Sequence, residues 1–279
     1  MVKPKHNESS LSISRLNELI AFDRQVLSLH FSGLGFGTYD IDQGIRPRSG
    51  RAGIAGFDEA GRGALAGPAV VACVHLPFFP HKELSSSRLP SDLNGVDDSK
   101  RLTAKKRETL FERITCTCNW GVGVTQPREI DTVGIVAALQ RACRRAYANM
   151  RKPASLLLFD RGLSTGTSEK ESPSQSTLAA EKIPSKIENN SQLELQFTRG
   201  DSRSLHIAAA SIVAKVVRDR IMVSLDRLHP GYGLARNKGY GTAAHMKALH
   251  AHGPSPIHRL SFRIKTAQES SSQKPPVID

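Results

Sequence analysis

Two adjacent carboxylates, Asp58 and Glu59, end a short apolar stretch of the sequence and lead into a glycine-rich segment. Hard divalent cations such as Mg²⁺ take oxygen ligands, and a bound cation offsets the repulsion between neighbouring carboxylates. An isolated Asp-Glu pair is usually a solvated loop charge. The apolar residues before this pair and the glycines after it favour a metal site instead.

The glycine-rich segment places Arg62 between Gly61 and Gly63. Because glycine has no Cβ, a ligand such as a sugar hydroxyl can approach the peptide groups of this turn closely. The fork of donors on Arg62 suits a phosphate, although an arginine in a turn is often simply exposed. The segment is therefore a candidate contact for a sugar and a phosphate.

Two further carboxylates stand where predicted elements end or begin. Asp160 directly follows the apolar run 155–159, and the carboxyl end of a core strand is a common ligand position in open α/β sheets. Asp201 precedes a long helical pattern, where its simplest role is a helix N-cap. Asp219 competes for the same place but lies ~25 Å further along a continuous helix, so both cannot serve one site. The sequence favours Asp201, and leaves Asp219 and its neighbour Arg218 as structural or surface charges.

A basic segment at 236–242 surrounds one aromatic residue, Tyr240, with glycines on both sides. Its ring offers a flat face to a sugar or base, and its hydroxyl can form hydrogen bonds. A tyrosine in a glycine-rich turn is more often a local packing anchor. Tyr240 is therefore a substrate contact only if the other candidates lie nearby.

Short apolar strands alternate with helical patterns after residue 53, which is typical of an α/β domain. The predicted strands are 53–57, 69–76, 119–125, 155–159 and 193–198, and the predicted helices are 12–29, 103–115, 131–150, 204–228 and 242–252. We expect a helix and flexible linker over 1–50, a catalytic domain over 51–265 and a disordered tail over 266–279. Within the domain, the polar stretch 164–192 has too little apolar content to order itself and predicts a disordered insert.

The 279 residues carry 39 Lys and Arg against 26 Asp and Glu, a formal charge of +13 that attracts polyanions. Four cysteines are too few and too scattered for a disulfide framework, and the Cys116 and Cys118 pair lacks the spacing of a zinc site. No apolar run approaches the ~20 residues of a membrane span. We expect a monomeric, cytoplasmic protein without membrane contact.

Taken in order, the segments resemble the ribonuclease HII family over about residues 53–263. The matching motifs are 54–63, 66–68, 98–102, 159–160, 200–204, 207–216, 238–242 and 252–256. The resemblance implies a ribonuclease H-like α/β fold, a mixed sheet flanked by helices, with a C-terminal helical segment. It also implies an endoribonuclease that hydrolyses the RNA strand of RNA–DNA hybrids and nicks duplex DNA 5′ of embedded ribonucleotides.

In that resemblance Asp58, Glu59, Asp160 and Asp201 match the catalytic metal ligands, and the metal is Mg²⁺ or Mn²⁺. The Gly61-Arg62-Gly63 turn and Tyr240 match the residues that contact the ribonucleotide and its junction with the next deoxynucleotide. The implied mechanism uses two ions and leaves a 5′-phosphate and a 3′-hydroxyl.

Two alternatives stay open at this point. Ribonuclease HIII usually has glutamate as its fourth carboxylate and a larger N-terminal domain, and Asp201 and the short N-terminal segment argue against it. A non-catalytic nucleic-acid-binding protein accounts for the positive charge but leaves the carboxylates unexplained.

Overall fold

The computed structural model describes residues 6–33, 53–76, 93–152, 154–166 and 193–262. Its strands are β1 (Ile54–Ala60), β2 (Ala69–His75), β3 (Asn119–Thr125), β4 (Leu156–Asp160) and β5 (Leu193–Phe197). Its helices are α1 (His6–Gly33), α2 (Ala104–Thr117), α3 (Pro127–Ala148), α4 (Leu205–Leu228), α5 (Leu234–Asn237) and α6 (Ala243–His252). Short 3₁₀ helices cover Ser99–Arg101 and Gly200–Ser202. None of the helices in these ranges is long and apolar enough to cross a bilayer.

The strands of the described residues form one mixed sheet in the order β3-β2-β1-β4-β5. β1 and β3 run antiparallel to β2, whereas β4 runs parallel to both β1 and β5. Phe57 pairs with Phe159, so the carboxyl ends of β1 and β4 meet at one edge of the sheet. This mixed α/β sheet with flanking helices is the predicted fold class.

Helices cover both faces of the sheet, and glycines let them approach closely. α4 packs on the face formed by Ile54, Leu156 and Leu158, and α3 packs on the opposite face. A Cβ at Gly56 would lie 2.3 Å from the carbonyl carbon of His206 in α4, so only glycine fits this crossing. The close approach brings the start of α4 beside the carboxyl ends of the central strands.

The N-terminal helix shares the core of the sheet. Leu16 and Leu19 of α1 are fully buried in the cluster that α4 and the sheet form. Nδ1 of His206 lies within hydrogen-bonding distance, 2.7 Å, of a carboxylate oxygen of Asp23, and both side chains are fully buried. The helix is longer than the predicted 12–29, and the proposed linker up to residue 50 lies largely outside the described residues.

Most predicted boundaries agree with the structure to within a few residues, and the differences have local causes. Thr103, Ser204 and Thr242, the first residues of three predicted helices, are the N-caps of α2, α4 and α6 and accept backbone N–H groups with their side chains. β1 continues past the predicted end at 57 because its pairing with β2 runs on to Ala60. α3 begins earlier than predicted because Pro127 suits a first helical turn.

The insert predicted over 164–192 falls mostly outside the described residues, as does the tail 266–279. Its first residues, however, are attached to the domain. Thr165 is 5% exposed, and both its backbone N–H and its hydroxyl donate to the carboxylate of Glu194. The second residue of the predicted insert is therefore held against β5.

The contact at Gly56 generates a test of the crossing between β1 and α4. We expect Gly56→Ala to lower the free energy of unfolding by about 2–3 kcal/mol, because the added methyl meets backbone that cannot rotate away. Urea denaturation measures the loss. Gly63→Ala is the matched control, since nothing lies within 4 Å of a Cβ there and its unfolding free energy should stay within about 0.5 kcal/mol. Equal midpoints for the two variants would contradict the tight crossing.

Candidate active site

Asp58 and Asp160 lie side by side at the carboxyl ends of β1 and β4. Neighbouring strands are about 4.8 Å apart, and the pairing of Phe57 with Phe159 places these two carboxylates at the same level. Side chains alternate along a strand, so Asp58 faces α4 like Gly56, whereas Glu59 faces the side of α3. The two adjacent carboxylates of the sequence thus reach the sheet edge from opposite faces.

Asp201 approaches the same edge from the 3₁₀ helix that precedes α4. It is 5% exposed, and its neighbour Gly200 donates its N–H to the Oδ1 of Asp160 at 2.8 Å. Asp201 does not cap α4, because Ser204 accepts the N–H of Ile207 in that position. The N-cap role that the sequence suggested for Asp201 is therefore wrong, because Ser204 fills that position.

Burial and neighbouring charges raise the pKa values of Asp58, Glu59 and Asp201. Burial, and next the charge of Glu59, raise the pKa of Asp58 well above its usual range. Burial also raises the pKa of Glu59, although the guanidinium of Arg62 opposes the shift. Burial, followed by the charges of Asp98 and Asp160, raises the pKa of Asp201 to about 6. A cluster of buried acids that resist ionisation is the electrostatic setting that a cation relieves.

The donor set fits a divalent metal ion. All four candidates offer oxygen, which Mg²⁺ and Mn²⁺ accept. The Oε2 atom of Glu59 is buried without a hydrogen-bond partner among the described residues, while its Oε1 accepts from Arg62 Nε at 2.7 Å. In the described part of the chain, no three His, Cys, Asp or Glu side chains stand close enough to hold an ion as placed.

The turn after β1 rests on a buried arginine of α4. Gly61 has a φ of 90°, and a Cβ there would lie 1.9 Å from the Nε of Arg218. Gly63 faces open space, which leaves its peptide group accessible. The carbonyl of Arg62 accepts from Nη1 of Arg259 at 2.8 Å. The turn thus has a fixed inner side and an open outer side.

Tyr240 lies beside this turn. Its side chain is 39% exposed, and its ring centroid is 5.3 Å from the guanidinium carbon of Arg218. The preceding carbonyl of Gly239 accepts the N–H groups of Leu65 and Ala66 at 2.8 and 3.2 Å. The structure therefore brings Tyr240 and the Gly61-Arg62-Gly63 turn together.

Sequence reasoning missed four residues that shape the site. Lys100 Nζ lies 3.7 Å from Asp201 Oδ2, and Asp98 caps the 3₁₀ helix that carries Lys100. The signal for both was their motif at 98–102, which was noted without a role. Arg218 and Arg259 are 0% and 1% exposed, and nothing in their local sequence separates a buried arginine from a surface one.

Comparisons with known proteins agree with this geometry. The family model "Ribonuclease HII" matches residues 55–265. Ribonuclease HII of Geobacter sulfurreducens is 45% identical over 217 residues, which cover 77% of this chain and 84% of that protein. Ribonuclease HII of Nitratidesulfovibrio vulgaris is 43% identical over 211 residues, covering 75% and 85%.

Among solved structures, the ribonuclease H2 from Pyrococcus horikoshii OT3 superimposes with a TM-score of 0.54 at 23% identity, covering 75% of this chain and 93% of that one. The RNase HII from Archaeoglobus fulgidus, solved in a complex with PCNA, gives 0.53 at 24% identity, covering 78% and 99%. These two likenesses support the fold.

The mixed sheet and the family match together define a metal-dependent nuclease of the ribonuclease H-like fold. The chain belongs to the ribonuclease HII family, and it is an endoribonuclease acting on the RNA of RNA–DNA hybrids. This assignment excludes the non-catalytic alternative and favours ribonuclease HII over ribonuclease HIII.

The raised pKa of Asp201 predicts how the metal-free protein responds to its removal. The usual pKa is 3.8 and the folded value is about 6, so ionisation costs stability as pH rises through this window, and the cost is complete above it. We expect Asp201→Asn to raise the unfolding free energy in chelator at about pH 7.5, by at most about 3 kcal/mol, with little gain at about pH 4.

Thermal melts in chelator measure this difference, and titration with Mg²⁺ provides the control. Binding to the folded state alone should raise the Tm of the wild-type protein more than that of the variant. A variant that melts at or below the wild-type temperature in chelator near pH 7.5 would contradict an electrostatic cost at Asp201.

Proposed function

We propose that the protein cleaves on the 5′ side of single ribonucleotides in duplex DNA as well as within longer hybrids. The observation that supports this most is the joining of Tyr240 to the Gly61-Arg62-Gly63 turn beside the carboxylates. The turn can contact the 2′-hydroxyl of a ribonucleotide while the ring of Tyr240 stacks on the next sugar, which lacks that hydroxyl. Such an arrangement recognises a junction rather than a tract of RNA.

Asp58, Glu59, Asp160 and Asp201 are the residues we assign to the metal site, and Mg²⁺ or Mn²⁺ suits their oxygens. Two such ions, when bound, supply the charge that activates water and stabilises the leaving 3′-oxygen. The chain itself carries these carboxylates, buried or partly buried, at one end of the sheet. No side chain is needed as a nucleophile, and the products carry a 5′-phosphate and a 3′-hydroxyl.

Recognition of the substrate falls to the open side of the turn. The peptide group at Gly63 is free of side-chain cover, and a 2′-hydroxyl can reach it. Arg62 is partly exposed and neutralises Glu59, so a phosphate near the metal site would compete for its guanidinium. Arg62 therefore connects substrate binding to the charge state of the carboxylates.

The net charge of +13 adds affinity for the phosphate backbone that depends on salt and not on sequence. Its substrates in this proposal are RNA–DNA hybrids and duplex DNA that contains ribonucleotides. The protein would act as a cytoplasmic monomer in replication and ribonucleotide excision repair. Incubation of the enzyme with a duplex bearing one ribonucleotide, in Mg²⁺, Mn²⁺ or chelator, tests the activity directly. Cleavage of continuous hybrids only would overturn the junction proposal.

We expect Asp58→Asn to reduce kcat/KM by at least about 10³-fold, roughly 4 kcal/mol of transition-state stabilisation, because it removes a charge from the metal site. Duplex affinity in Ca²⁺ should persist, since the basic surface is unchanged. Asp219→Asn provides the matched control, because Asp219 pairs with Lys215 at 2.8 Å on α4 and should be dispensable. Near-normal turnover by Asp58→Asn would remove this residue from the site.

We expect Tyr240→Ala to weaken cleavage at a single ribonucleotide by about 5–100-fold, and cleavage within a continuous hybrid by less, because stacking is worth about 1–3 kcal/mol. The measurement is kcat/KM on both substrates at one salt concentration. Tyr240→Phe is the control that keeps the ring and loses only the hydroxyl. Equal losses on the two substrates would mean that Tyr240 is a packing anchor.

A further inference from the structure

Two buried histidines lie behind Tyr240. His245 of α6 is fully buried and His258 of the following loop is 2% exposed. Their Nε2 atoms approach to 3.1 Å. Two ring nitrogens at this distance form a hydrogen bond only when one carries a proton and the other does not.

The outer partners of the two rings decide where each proton lies. At one end, Nδ1 of His245 is 2.9 Å from the carbonyl oxygen of Tyr240, which can only accept, so this Nδ1 carries the proton. At the other end, the backbone N–H of Ser255 donates to Nδ1 of His258 at 3.0 Å, so that nitrogen is bare, and the Ser255 hydroxyl 2.9 Å away must donate to it as well. The carbonyl of Ser255, 3.3 Å from the same nitrogen, already accepts the N–H of His258 at 2.9 Å.

The two assignments, made independently, are complementary in the middle. A neutral His258 with a bare Nδ1 carries its proton on Nε2, and a neutral His245 with a protonated Nδ1 has a bare Nε2. His258 therefore donates to His245, and His245 donates to Tyr240. Burial lowers the pKa of His258, which agrees with a neutral ring. A further proton on either ring would place two N–H groups against each other.

This pair of hydrogen bonds, from His258 to His245 and from His245 to Tyr240, is called the relay, and it ends on the backbone carbonyl of Tyr240. The same carbonyl accepts the N–H of Thr242 at 2.7 Å, and the N–H of Tyr240 donates to Asn237 at 3.0 Å. His245 supplies the side-chain contact in this set, and it comes from α6, whose Leu249 belongs to the same buried cluster as Ala66. The position of the Tyr240 backbone is thus tied to the layer beneath the turn.

We propose that His245 is a positioning residue for Tyr240, and that His258 holds His245 in the tautomer and orientation this task needs. The proposal rests on the proposed function, in which Tyr240 senses the junction after a ribonucleotide. The pair is then a determinant of substrate preference that touches neither metal nor substrate. Its loss should alter the choice between substrates more than turnover on continuous hybrid.

Substitution of His245 by Asn or by Gln, two amides of similar polarity, tests its two hydrogen bonds one at a time. Asn places an amide N–H near the position of Nδ1 and keeps the bond to Tyr240. Gln places its amide near Nε2, keeps the contact with His258 and loses the bond to Tyr240. We expect His245→Gln to reduce kcat/KM at a single ribonucleotide about fivefold, the usual value of one hydrogen bond, with a smaller change on continuous hybrid. His245→Asn should stay within about twofold of the wild-type enzyme on both substrates.

His250→Gln is the matched control, because His250 lies on the same helix and is exposed. Equal effects of Asn and Gln, or a larger effect of Asn, would overturn the proposal. If Tyr240→Ala lowers kcat/KM equally on the two substrates, the proposed function of Tyr240 fails. If Tyr240→Ala affects the single-ribonucleotide substrate more but His245→Gln affects both substrates equally, only the proposal about the histidines fails.

A measurement on the wild-type protein keeps the proposal testable if a variant does not fold. Nitrogen-15 chemical shifts of the histidine rings distinguish the tautomers. We expect the proton on Nδ1 in His245 and on Nε2 in His258. The opposite assignment for either ring would overturn the relay.

Discussion

The guanidinium of Arg218 joins the Gly61-Arg62-Gly63 turn to the segment that carries Tyr240. From the middle of α4 its Nε donates to the carbonyl of Pro68 at 2.9 Å, and its Nη2 donates to the carbonyl of Lys238 at 2.8 Å. Its planar group also fills the space under Gly61 and contacts the ring of Tyr240. A buried lysine could not replace it, because a single ammonium group cannot reach carbonyls in several directions while offering a flat surface. The spacing between turn and tyrosine follows from this one side chain.

A second buried arginine completes the layer. Arg259 donates to the carbonyls of Arg62 and Gly67, so the turn is held from the C-terminal loop as well as from α4. Burying two cations is costly unless their donors find acceptors. Here the acceptors are backbone carbonyls of the turn and its neighbours, although Nη1 of Arg218 has no hydrogen-bond partner among the described residues. The turn carbonyls and the remaining arginine donors therefore satisfy each other's hydrogen-bonding needs.

Much of this architecture could be predicted from local sequence. Caps such as Thr103 and Ser204 precede helical patterns, and the run before Asp160 reads as a buried strand, since these signals act within a few residues. Arg218 could not be read in this way. It sits in a charged helical segment beside Asp219, and its burial depends on where β1 and the loop at Lys238 arrive in space. That Asp58 and Glu59 lie on opposite faces of the sheet could not be predicted either, because the predicted strand ended at Phe57.

The electrostatics of the site follow from the same geometry. The sheet alternation sends Asp58 toward α4 and Glu59 toward α3, so one cation-sized charge cannot neutralise both from within a single face. In this structure the neutralising groups are side chains: Arg62 pairs with Glu59, and Lys100 lies near Asp201. Both belong to segments at the rim of the site and are partly or mostly exposed, so each can turn away at little cost. The carboxylates are carried by strands and a 3₁₀ helix, while their counter-charges come from partly or mostly exposed side chains, which a bound metal ion can displace.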